Sequence, residues 1–235
     1  EGLQRFDEKN GTNDRPAEFF KMPSSLYMQA IRKGRERRIE PPDPFILYCS
    51  TIEVRKNHLL LAKVWKTAME EGHRLPRLIC VGKWGWGVSE LETFLNANPE
   101  VSEQIEFTGA ISDDALIDLY RSAMFSVYPS VLEGWGLGAS ESLDFGLPVV
   151  TSTAESLQEA TRGLMPSLDP HDVNQWLQMI RKLSENPKEL QALREKIIEN
   201  YRPVTEEESW QGIKAAIRKH MSCLLYTSDA ADDLF

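Results

Sequence analysis

The chain has few cysteines and no long apolar run, and each shortage excludes a class of protein. Only 3 of its 235 residues are cysteine, and none lies at a spacing typical of a metal site or of a disulfide framework. Cys49 and Cys80 fall in apolar, strand-like runs, so we expect buried thiols in a reducing cytoplasm. No stretch of about 18 apolar residues is present, and no segment is expected to span a membrane.

Positive charge is also in short supply. The 27 Lys and Arg residues are outnumbered by 36 Asp and Glu residues, which gives a formal net charge of -9. Such a chain is not attracted to nucleic acid in bulk, and an anionic ligand must be held by local donors. Hydrophobic residues make up 41% of the chain, enough for the core of one large α/β domain.

Two signatures of enzyme classes are missing. No Gly-x-Gly-x-x-Gly follows the first apolar strand, which argues against a Rossmann dehydrogenase. No Asp-x-Asp motif stands at a suitable place for a metal, because Asp113 and Asp114 open a helix and are explained by capping. The histidines form no cluster, and each is expected to be structural or solvated: His58, His73, His171 and His220. The sequence therefore predicts no metal site.

The chain divides into three parts by composition. Residues 1–44 are polar and rich in proline, with room for a short helix between Ser24 and Arg38, and we interpret them as a linker or the remnant of a missing domain. Residues 45–222 alternate apolar strands with amphipathic helices, and form the predicted domain. Residues 223–235 fit neither pattern and are expected to be a non-native tail.

The alternation predicts a parallel sheet covered by helices on both faces, a Rossmann-like α/β fold. The predicted strands lie at 45–49, 78–81, 105–107, 125–128 and 148–150. The predicted helices lie at 58–71, 90–97, 113–121, 137–145, 171–184, 187–200 and 206–220. In such a sheet, ligands bind beyond the carboxyl ends of the strands.

The most informative segment runs from Tyr128 to Glu141. A strand ends at Tyr128, and a loop with Glu133 leads through Gly134 and Gly136 into a helix. A glycine-rich turn and the helix start that follows it can bind phosphate through backbone N–H groups. Carboxylates, in contrast, accept hydrogen bonds from sugar hydroxyls. Together they indicate a nucleotide sugar, although on the glycines alone a glycine-rich turn with two solvated glutamates is the favoured interpretation.

Two further groups follow other strands. Arg55 and Lys56 come shortly after the first strand, where a guanidinium and an ammonium group can bind diphosphate. An exposed basic loop is the alternative. Gly82 ends the second strand, and Trp84 and Trp86 follow it, either at the mouth of a pocket or packed against the adjacent loop.

From Phe45 to about Ile217 the chain resembles the C-terminal, donor-binding domain of family-4 retaining glycosyltransferases, which have the GT-B fold. Five segments match that family in order: the first strand with Arg55-Lys56-Asn57, Val81-Gly82, Phe107-Thr108-Gly109 followed by Leu119-Tyr120, the block from Glu133 to Glu141, and the segment from Gly146 to Ser152. Glu133 and Glu141 meet the spacing of the family's paired glutamates. The ordered set is more specific than any one motif.

The resemblance implies a role for each matching residue. Glu133 would contact the transferred sugar, while Lys56 and Arg55 would stabilise negative charge on the departing diphosphate; these three are the candidate catalytic residues. The candidate donor-binding residues are Glu141, for the ribose hydroxyls, with Gly134, Trp135, Gly136, Leu137, Thr51 and Gly82. We expect no cofactor besides the nucleoside-diphosphate sugar itself, and no metal.

The chain departs from the family at two places. The family often has Gly-Arg where Ser50-Thr51 stands here, so the usual first phosphate arginine is absent and Arg55 is its expected substitute. The usual proline after Gly-Leu is Gly138, which we expect to loosen the turn.

Three functions fit these observations. The first is the donor-binding domain of a glycosyltransferase acting on a glycan or lipid-linked acceptor, inactive by itself and paired with a missing N-terminal acceptor domain. The others are a nucleotide-sugar binding module without activity and a nucleotide-sugar epimerase of the same architecture. We expect a cytoplasmic location, with the basic residues 32–38 compatible with peripheral contact with the inner face of the membrane. A solvated linker is the alternative for those residues.

Overall fold

The computed structural model describes the backbone of residues 22–228 and the side chains of residues 22–218. The chain divides into two compact units. One unit is Leu26–Pro203. The other combines the segment that ends at Ser25 with the segment that begins at Val204. The first unit holds the sheet and all the predicted site residues.

The sheet has six parallel strands in the order β3-β2-β1-β4-β5-β6. From β1, the strands β2 and β3 are added in sequence on one side, and β4, β5 and β6 are then added in sequence on the other side. The point where the direction reverses lies between β1 and β4, and in open α/β sheets such a switch point opens a crevice at the carboxyl ends of the strands. The strands are β1 Phe45–Cys49, β2 Arg77–Val81, β3 Ile105–Gly109, β4 Ser126–Tyr128, β5 Val149–Ser152 and β6 Ser167–Leu168.

In the first unit, helices follow most of the strands and cover both faces of the sheet, and ten α-helices are described in all. They are α1 Ser25–Arg32, α2 His58–Glu70, α3 Ser89–Ala97, α4 Pro99–Ser102, α5 Asp113–Ser122, α6 Leu137–Asp144, α7 Glu155–Ala160, α8 Val173–Glu185, α9 Pro187–Asn200 and α10 Glu206–Ser228. A short 3₁₀ helix, Val54–Lys56, precedes α2. In the part of the chain that is described, no helix has the length and apolar character needed to cross a membrane.

Strand β1 shows why the sheet is buried on both faces. Ile46 and Tyr48 belong to the larger hydrophobic cluster of the core, and Phe45 and Leu47 belong to a second cluster. Successive side chains of a strand point to opposite faces, so a run without polar residues requires cover on both. Residues 45–49 are continuously apolar because β1 packs against the core on both faces of the sheet.

Local signals set where the helices begin. The Ser112 hydroxyl accepts a hydrogen bond from the N–H of Ala115 at the start of α5, and Asp172 accepts one from Gln175 at the start of α8. Pro187 is the first residue of α9, where its missing N–H costs no hydrogen bond. Ser112 therefore caps α5, and Asp113 and Asp114 lie in its first turn.

The predicted fold class is confirmed, and all five predicted strands are present within a few residues of their predicted bounds. Helix α1 ends at Arg32, short of Arg38, because Gly34 follows in a left-handed conformation. Strand β6 and helix α7 were not predicted, because two and six residues are too few to show a period.

The thiols differ from the prediction in one respect. Cys80 is buried, but Cys49 is only partly buried, because it is the last residue of β1 and reaches the edge of the sheet. The side chain of Cys223 lies outside the described residues. In the second unit, α10 runs to Ser228, so it extends into the segment predicted to be a non-native tail. The origin of that segment stays a prediction.

Candidate functional site

The predicted site residues lie at the carboxyl edge of the sheet, in the loops that follow β1, β2 and β4. Asn57, in the segment after β1, connects that segment to the loops after β4 and β6. Its side-chain amide donates hydrogen bonds to the carbonyl oxygens of Pro129, at 3.1 Å, and Pro170, at 2.7 Å. Its backbone is left-handed, with φ of 62°, and this conformation turns the 3₁₀ helix into α2. Asparagine adopts it more readily than most residues.

Lys56 and Glu133 form the centre of the site. The Lys56 Nζ atom lies 2.5 Å from each carboxylate oxygen of Glu133. The two side chains are only 11% and 7% exposed, so the charges neutralise each other away from bulk water. Lys56 follows β1 and Glu133 follows β4, so the ion pair spans the switch point of the sheet.

A set of buried hydroxyls supports this ion pair. Ser130 donates to Oε1 of Glu133 at 3.0 Å, and the Ser156 hydroxyl donates to the Glu133 carbonyl oxygen at 3.1 Å. The Tyr48 hydroxyl donates to the carbonyl oxygen of Lys56 at 2.6 Å. Sequence reasoning missed all three hydroxyls. Ser130 stood inside the quoted motif, whereas nothing in the sequence pointed to Tyr48 or Ser156.

Arg55 lies close to the ion pair, but its hydrogen bonds go to other residues. Its Nε atom donates to Glu53 at 2.8 Å, and its NH1 atom donates to the Leu132 carbonyl at 3.3 Å. Its NH1 atom lies 3.8 Å from Oε2 of Glu133, and its side chain is 33% exposed. The structure thus brings together the three candidate catalytic residues, with Glu53 as an unpredicted fourth member.

The glycine turn leads directly from Glu133 into α6. Gly134 and Trp135 are exposed, and Gly136, at the N-cap of α6, has φ of 92°. A Cβ atom on Gly136 would lie 2.7 Å from the side chain of Leu157, so both conformation and space require glycine there. Leu137, the first residue of α6, is 50% exposed. The N–H groups of Ala139 and Ser140 bond to the carbonyl oxygen of Gly136, which leaves those of Leu137 and Gly138 as the free donors of this turn among the described residues.

Glu141 lies on α6, one turn beyond its start, in surroundings opposite to those of Glu133. Its Oε2 atom accepts a hydrogen bond of 2.9 Å from the hydroxyl of Tyr120, a fully buried residue of α5. The pKa of Glu141 is raised to about 7, chiefly by burial. The hydrogen bond from Tyr120 lowers this pKa, and the charges of Asp144 and Asp113 raise it. Tyr120 was quoted from the sequence only as part of a matching segment.

Cys49 lies beside this second glutamate. Burial raises the pKa of the Cys49 thiol to about 12, and the charge of Glu141 adds to the effect. The thiol is therefore protonated at neutral pH and is a poor nucleophile. The location at the sheet edge does not make Cys49 reactive.

Thr51 and Gly82 flank the ion pair without a described contact to it. The loop after β1 and the loop after β2 run side by side, with Ile52 and Trp84 in a parallel bridge. A Cβ atom on Gly82 would lie 2.0 Å from the carbonyl oxygen of Ser50, so glycine is needed for the loops to pack. Thr51 is exposed. A role for these two residues in ligand binding stays a prediction.

The two tryptophans of the second loop differ. Trp84 packs against Phe107 of β3 with ring centroids 5.1 Å apart, although it remains 45% exposed, whereas Trp86 is 61% exposed. Packing on the adjacent loop therefore describes Trp84, and a place at the mouth of a pocket stays a prediction for both tryptophans.

The remaining titratable groups do not form a second site. Asp114 pairs with Lys33 at 2.6 Å and with Arg35 at 3.1 Å. His58 is buried and stacked on Tyr48 at 4.5 Å, and burial together with the Lys56 charge lowers its pKa to about 3. Among the side chains described, those of residues 22–218, no three His, Cys, Asp or Glu are grouped to hold a metal ion.

Cavities of about 430 Å³ and 320 Å³ are present in the structure, and none of the predicted site residues lines either one. The larger lies between α2 and α3, against apolar atoms of Leu59 and Phe94. The convergence of charged side chains, free N–H groups and a raised carboxyl pKa is the stronger indicator of function, so we place the site at the open edge of the sheet.

Comparison with known proteins defines the class. The chain belongs to the family of glycosyl transferases group 1, whose model matches residues 31–202, well over half of the chain.

Among curated proteins, the chain is 35% identical over 131 residues to the O-antigen chain mannosyltransferase B of Escherichia coli, a match that covers 55% of this chain and 34% of that protein. Among solved structures, it resembles sucrose-phosphate synthase from Thermosynechococcus elongatus with a TM-score of 0.65 and 19% identity, over 98% of this chain and 57% of that one. It also resembles Anabaena Alr3699/HepE in complex with UDP-glucose, with a TM-score of 0.62 and 16% identity, over 84% and 54% of the two chains. The structural likenesses establish the fold, one half of a GT-B enzyme, and the chain spans about a third of the curated relative.

Proposed function

We propose that this chain is the donor-binding domain of a retaining glycosyltransferase that moves a sugar from a nucleoside diphosphate to a glycan or lipid-linked acceptor. One observation carries the proposal. Lys56 and Glu133 meet at the switch point of the sheet, directly beside a glycine turn that opens a helix. A cation with free N–H donors suits a diphosphate, and a carboxylate suits sugar hydroxyls.

Each group then has a defined task. The N–H groups at the start of α6, with Lys56 and Arg55, bind the diphosphate and stabilise the charge that it gains as the bond to the anomeric carbon breaks. Glu141 accepts hydrogen bonds from the ribose hydroxyls. Glu133 faces the transferred sugar, whose anomeric carbon gains positive character in the transition state. We expect neither a metal nor another cofactor to take part.

The ion pair gives the site a property that the sequence did not suggest. Lys56 and Glu133 already satisfy each other, and a bound diphosphate competes with Glu133 for the Lys56 ammonium group. Binding of the donor then releases the Glu133 carboxylate toward the sugar. Phosphate recognition and sugar recognition are linked by this exchange of partners.

The proposal includes a second domain that carries the acceptor site. Exposed apolar side chains surround the ion pair, among them Val54, Trp86, Val131 and Leu132. A surface of this kind is typical of one that another part of the protein covers. The shared segment is also only 34% of the mannosyltransferase and 54% and 57% of the two solved chains, so each relative is longer than what it shares with this chain.

We place the protein in the cytoplasm, where nucleotide sugars serve as donors for such enzymes. The basic residues 32–38 do not favour a membrane role. Lys33 and Arg35 pair with Asp114, and Arg35 also lies 2.5 Å from Asp118, so much of their charge is neutralised within the domain. These contacts hold the stretch against α5, so we favour neither a solvated linker nor a membrane contact for it.

The decisive experiment is calorimetric titration of this chain with UDP, GDP, UDP-glucose and GDP-mannose. The sugar donors include glucose and mannose because the relatives named above involve these sugars. We expect one nucleoside diphosphate to bind and the matching nucleotide sugar to bind more tightly. A variant carrying Lys56→Met and Glu133→Gln removes both charges at once, so that neither is left buried and unpaired. It should weaken diphosphate binding by about tenfold or more.

The control separates loss of charge from loss of fold. Lys66→Met removes an ammonium group of α2 that pairs with Glu100, away from the proposed site, and should leave the affinity unchanged. The corresponding nucleoside without phosphates should bind the wild type and the double variant equally. Equal weakening of nucleoside and nucleoside diphosphate would show that Lys56 and Glu133 do not contact the phosphates.

A further inference from the structure

We propose that Tyr120 is a positioning residue, which keeps Glu141 ionised and aims its free oxygen at the ribose of the donor. The inference rests on the proposed function, since the ribose contact of Glu141 belongs to it. Tyr120 itself touches neither donor nor acceptor, and it acts through the carboxylate.

The geometry assigns one carboxylate oxygen to the protein and one to the ligand. The Tyr120 hydroxyl donates to Oε2 of Glu141 at 2.9 Å, and in the described part of the chain it is the hydrogen-bond donor to this carboxylate. Oε1 is left for a hydroxyl of the ligand. The Tyr120 ring is held by stacking on Phe145, with centroids 5.3 Å apart and planes within 5°. The hydroxyl is therefore rigidly placed.

The surroundings of Glu141 oppose its ionisation. No cation contributes to its pKa among the residues that the structure describes, and the groups facing it are acidic or neutral. They are Asp113 and Tyr120 on α5, Asp144 on α6 itself, Cys49 on β1 and Tyr128 on β4. Burial raises the pKa of Glu141 to about 7, and the Tyr120 hydrogen bond works in the other direction. Tyr120 is protonated, because burial raises its own pKa well above 10.0.

The ionisation state decides what Glu141 can bind. An ionised carboxylate accepts hydrogen bonds at both oxygens, so it can hold Tyr120 and a ribose hydroxyl together. A protonated carboxyl loses acceptor capacity and its charge-assisted bond to the ligand. Donor affinity is therefore expected to be full above the pKa of Glu141 and to fall as the pH drops below about 7. Removing the Tyr120 hydroxyl should raise that pKa and move the fall to higher pH.

The test measures affinity for UDP-glucose and for GDP-mannose between about pH 5.5 and about pH 9. Nucleotide sugars are used because a terminal phosphate, with a second pKa near 6, would itself titrate in this range. The variants are Tyr120→Phe, which keeps the ring, and Tyr128→Phe, which removes a buried hydroxyl 3.5 Å from that of Tyr120. Glu141→Gln serves as the control without a titratable group. A ¹³C NMR titration of the Glu141 carboxyl in the free protein gives a second, ligand-independent readout.

We expect the wild type to lose affinity by about tenfold below its midpoint, which lies near pH 7. Tyr120→Phe should raise the midpoint, and the NMR pKa, by about one pH unit. Tyr128→Phe should leave both close to the wild type, and Glu141→Gln should bind with low affinity at every pH.

An NMR pKa of Glu141 that is the same in Tyr120→Phe as in the wild type would overturn the inference, whether or not either sugar nucleotide binds. Equal midpoint shifts in Tyr120→Phe and Tyr128→Phe would overturn it as well, since a general effect of lost packing explains them. Another outcome would contradict the proposed function and not the role of Tyr120. If Glu141→Gln binds the donor as well as the wild type, the ribose contact is wrong, while the NMR titration still decides the role of Tyr120.

Discussion

Two glutamates of one motif have been given opposite electrostatic surroundings. The Glu133 carboxylate is 7% exposed and is neutralised by Lys56, with Ser130 as a further donor. Glu141 has a hydroxyl for a partner and two aspartates among its neighbours. The first carboxylate is paired with a cation, and the second is held at the margin of ionisation because burial raises its pKa to about 7. Removing the charge from each should therefore change stability in opposite directions.

Glu141→Gln should stabilise the fold at alkaline pH. The pKa of Glu141 is about 7 in the folded chain and near 4.5 in the unfolded one. Because the folded state binds the proton more tightly, stability is greatest below the unfolded pKa and is lost as the pH rises to the folded pKa. At about pH 8 the variant should be more stable than the wild type by about 2–3 kcal/mol, and at about pH 5 by less than about 1 kcal/mol. Urea unfolding at the two pH values measures the difference.

Glu133→Gln is the matched control for that measurement. It leaves the Lys56 ammonium group, which is only 11% exposed, without its counter-charge, and should destabilise the fold by about 3 kcal/mol. A stabilising effect of Glu133→Gln, or a loss of stability in Glu141→Gln at high pH, would show that this division of the two environments is incorrect.

At the scale of elements, the turn between β4 and α6 depends on close packing as much as on backbone freedom. The sequence suggested that Gly138, in place of the family's usual proline, loosens the turn. In the structure, a Cβ atom on Gly138 would lie 2.3 Å from the Tyr128 hydroxyl and 2.8 Å from the Cys49 carbonyl oxygen. The interpretation as a loose turn is wrong. The glycine allows the start of α6 to lie directly on the ends of β1 and β4.

Two substitutions in this turn should have different effects. Gly138→Ala should destabilise the fold by about 1–3 kcal/mol, because the methyl group displaces Tyr128 or the helix start. Gly134→Ala should change stability by less than about 0.5 kcal/mol, since nothing lies within 4 Å of its Cβ position. Thermal unfolding of both variants makes the comparison. Similar melting temperatures for the two would contradict the close packing around Gly138.

At the scale of the whole molecule, the proposed function makes this chain one wall of an active site. The charged groups lie on an open edge, and none of them lines the cavities described above. The glycosyl transferases group 1 domain accounts for residues 31–202, and longer relatives match it over part of their length. An enzyme of this class must also exclude water from the donor, and an open edge alone does not.

We therefore predict that the 235-residue chain binds a nucleotide sugar but transfers no sugar. The assay supplies UDP-glucose or GDP-mannose with radioactive sugar and follows product formation with glycan and lipid-linked acceptors. The same assay with the longer coding sequence, if one surrounds this chain, is the positive control. Transfer by the 235 residues alone would show that the acceptor site lies within them.

The sequence by itself determined most of the elements of this protein and selected the residues of its candidate site. The apolar runs and helical periods placed five strands, because a strand buried on both faces leaves a local pattern of apolar residues. Glu133 and Glu141 were selected because they flank a glycine turn that opens a helix, and Arg55 and Lys56 because they follow the first strand, at the edge of the sheet where ligands bind. The short elements β6 and α7 were missed because they have too few residues to show a pattern.

The tertiary structure alone decided which of these residues act together. Strand order is a property of long-range pairing, and only the order β3-β2-β1-β4-β5-β6 places Lys56 against Glu133 across 77 residues of sequence. The same holds for the Tyr120 hydroxyl, which reaches Glu141 from another helix. A residue type predicts what a side chain can bind, but its ionisation depends on burial and on neighbours from distant parts of the chain. For that reason the two glutamates are alike in the sequence and opposite in the fold.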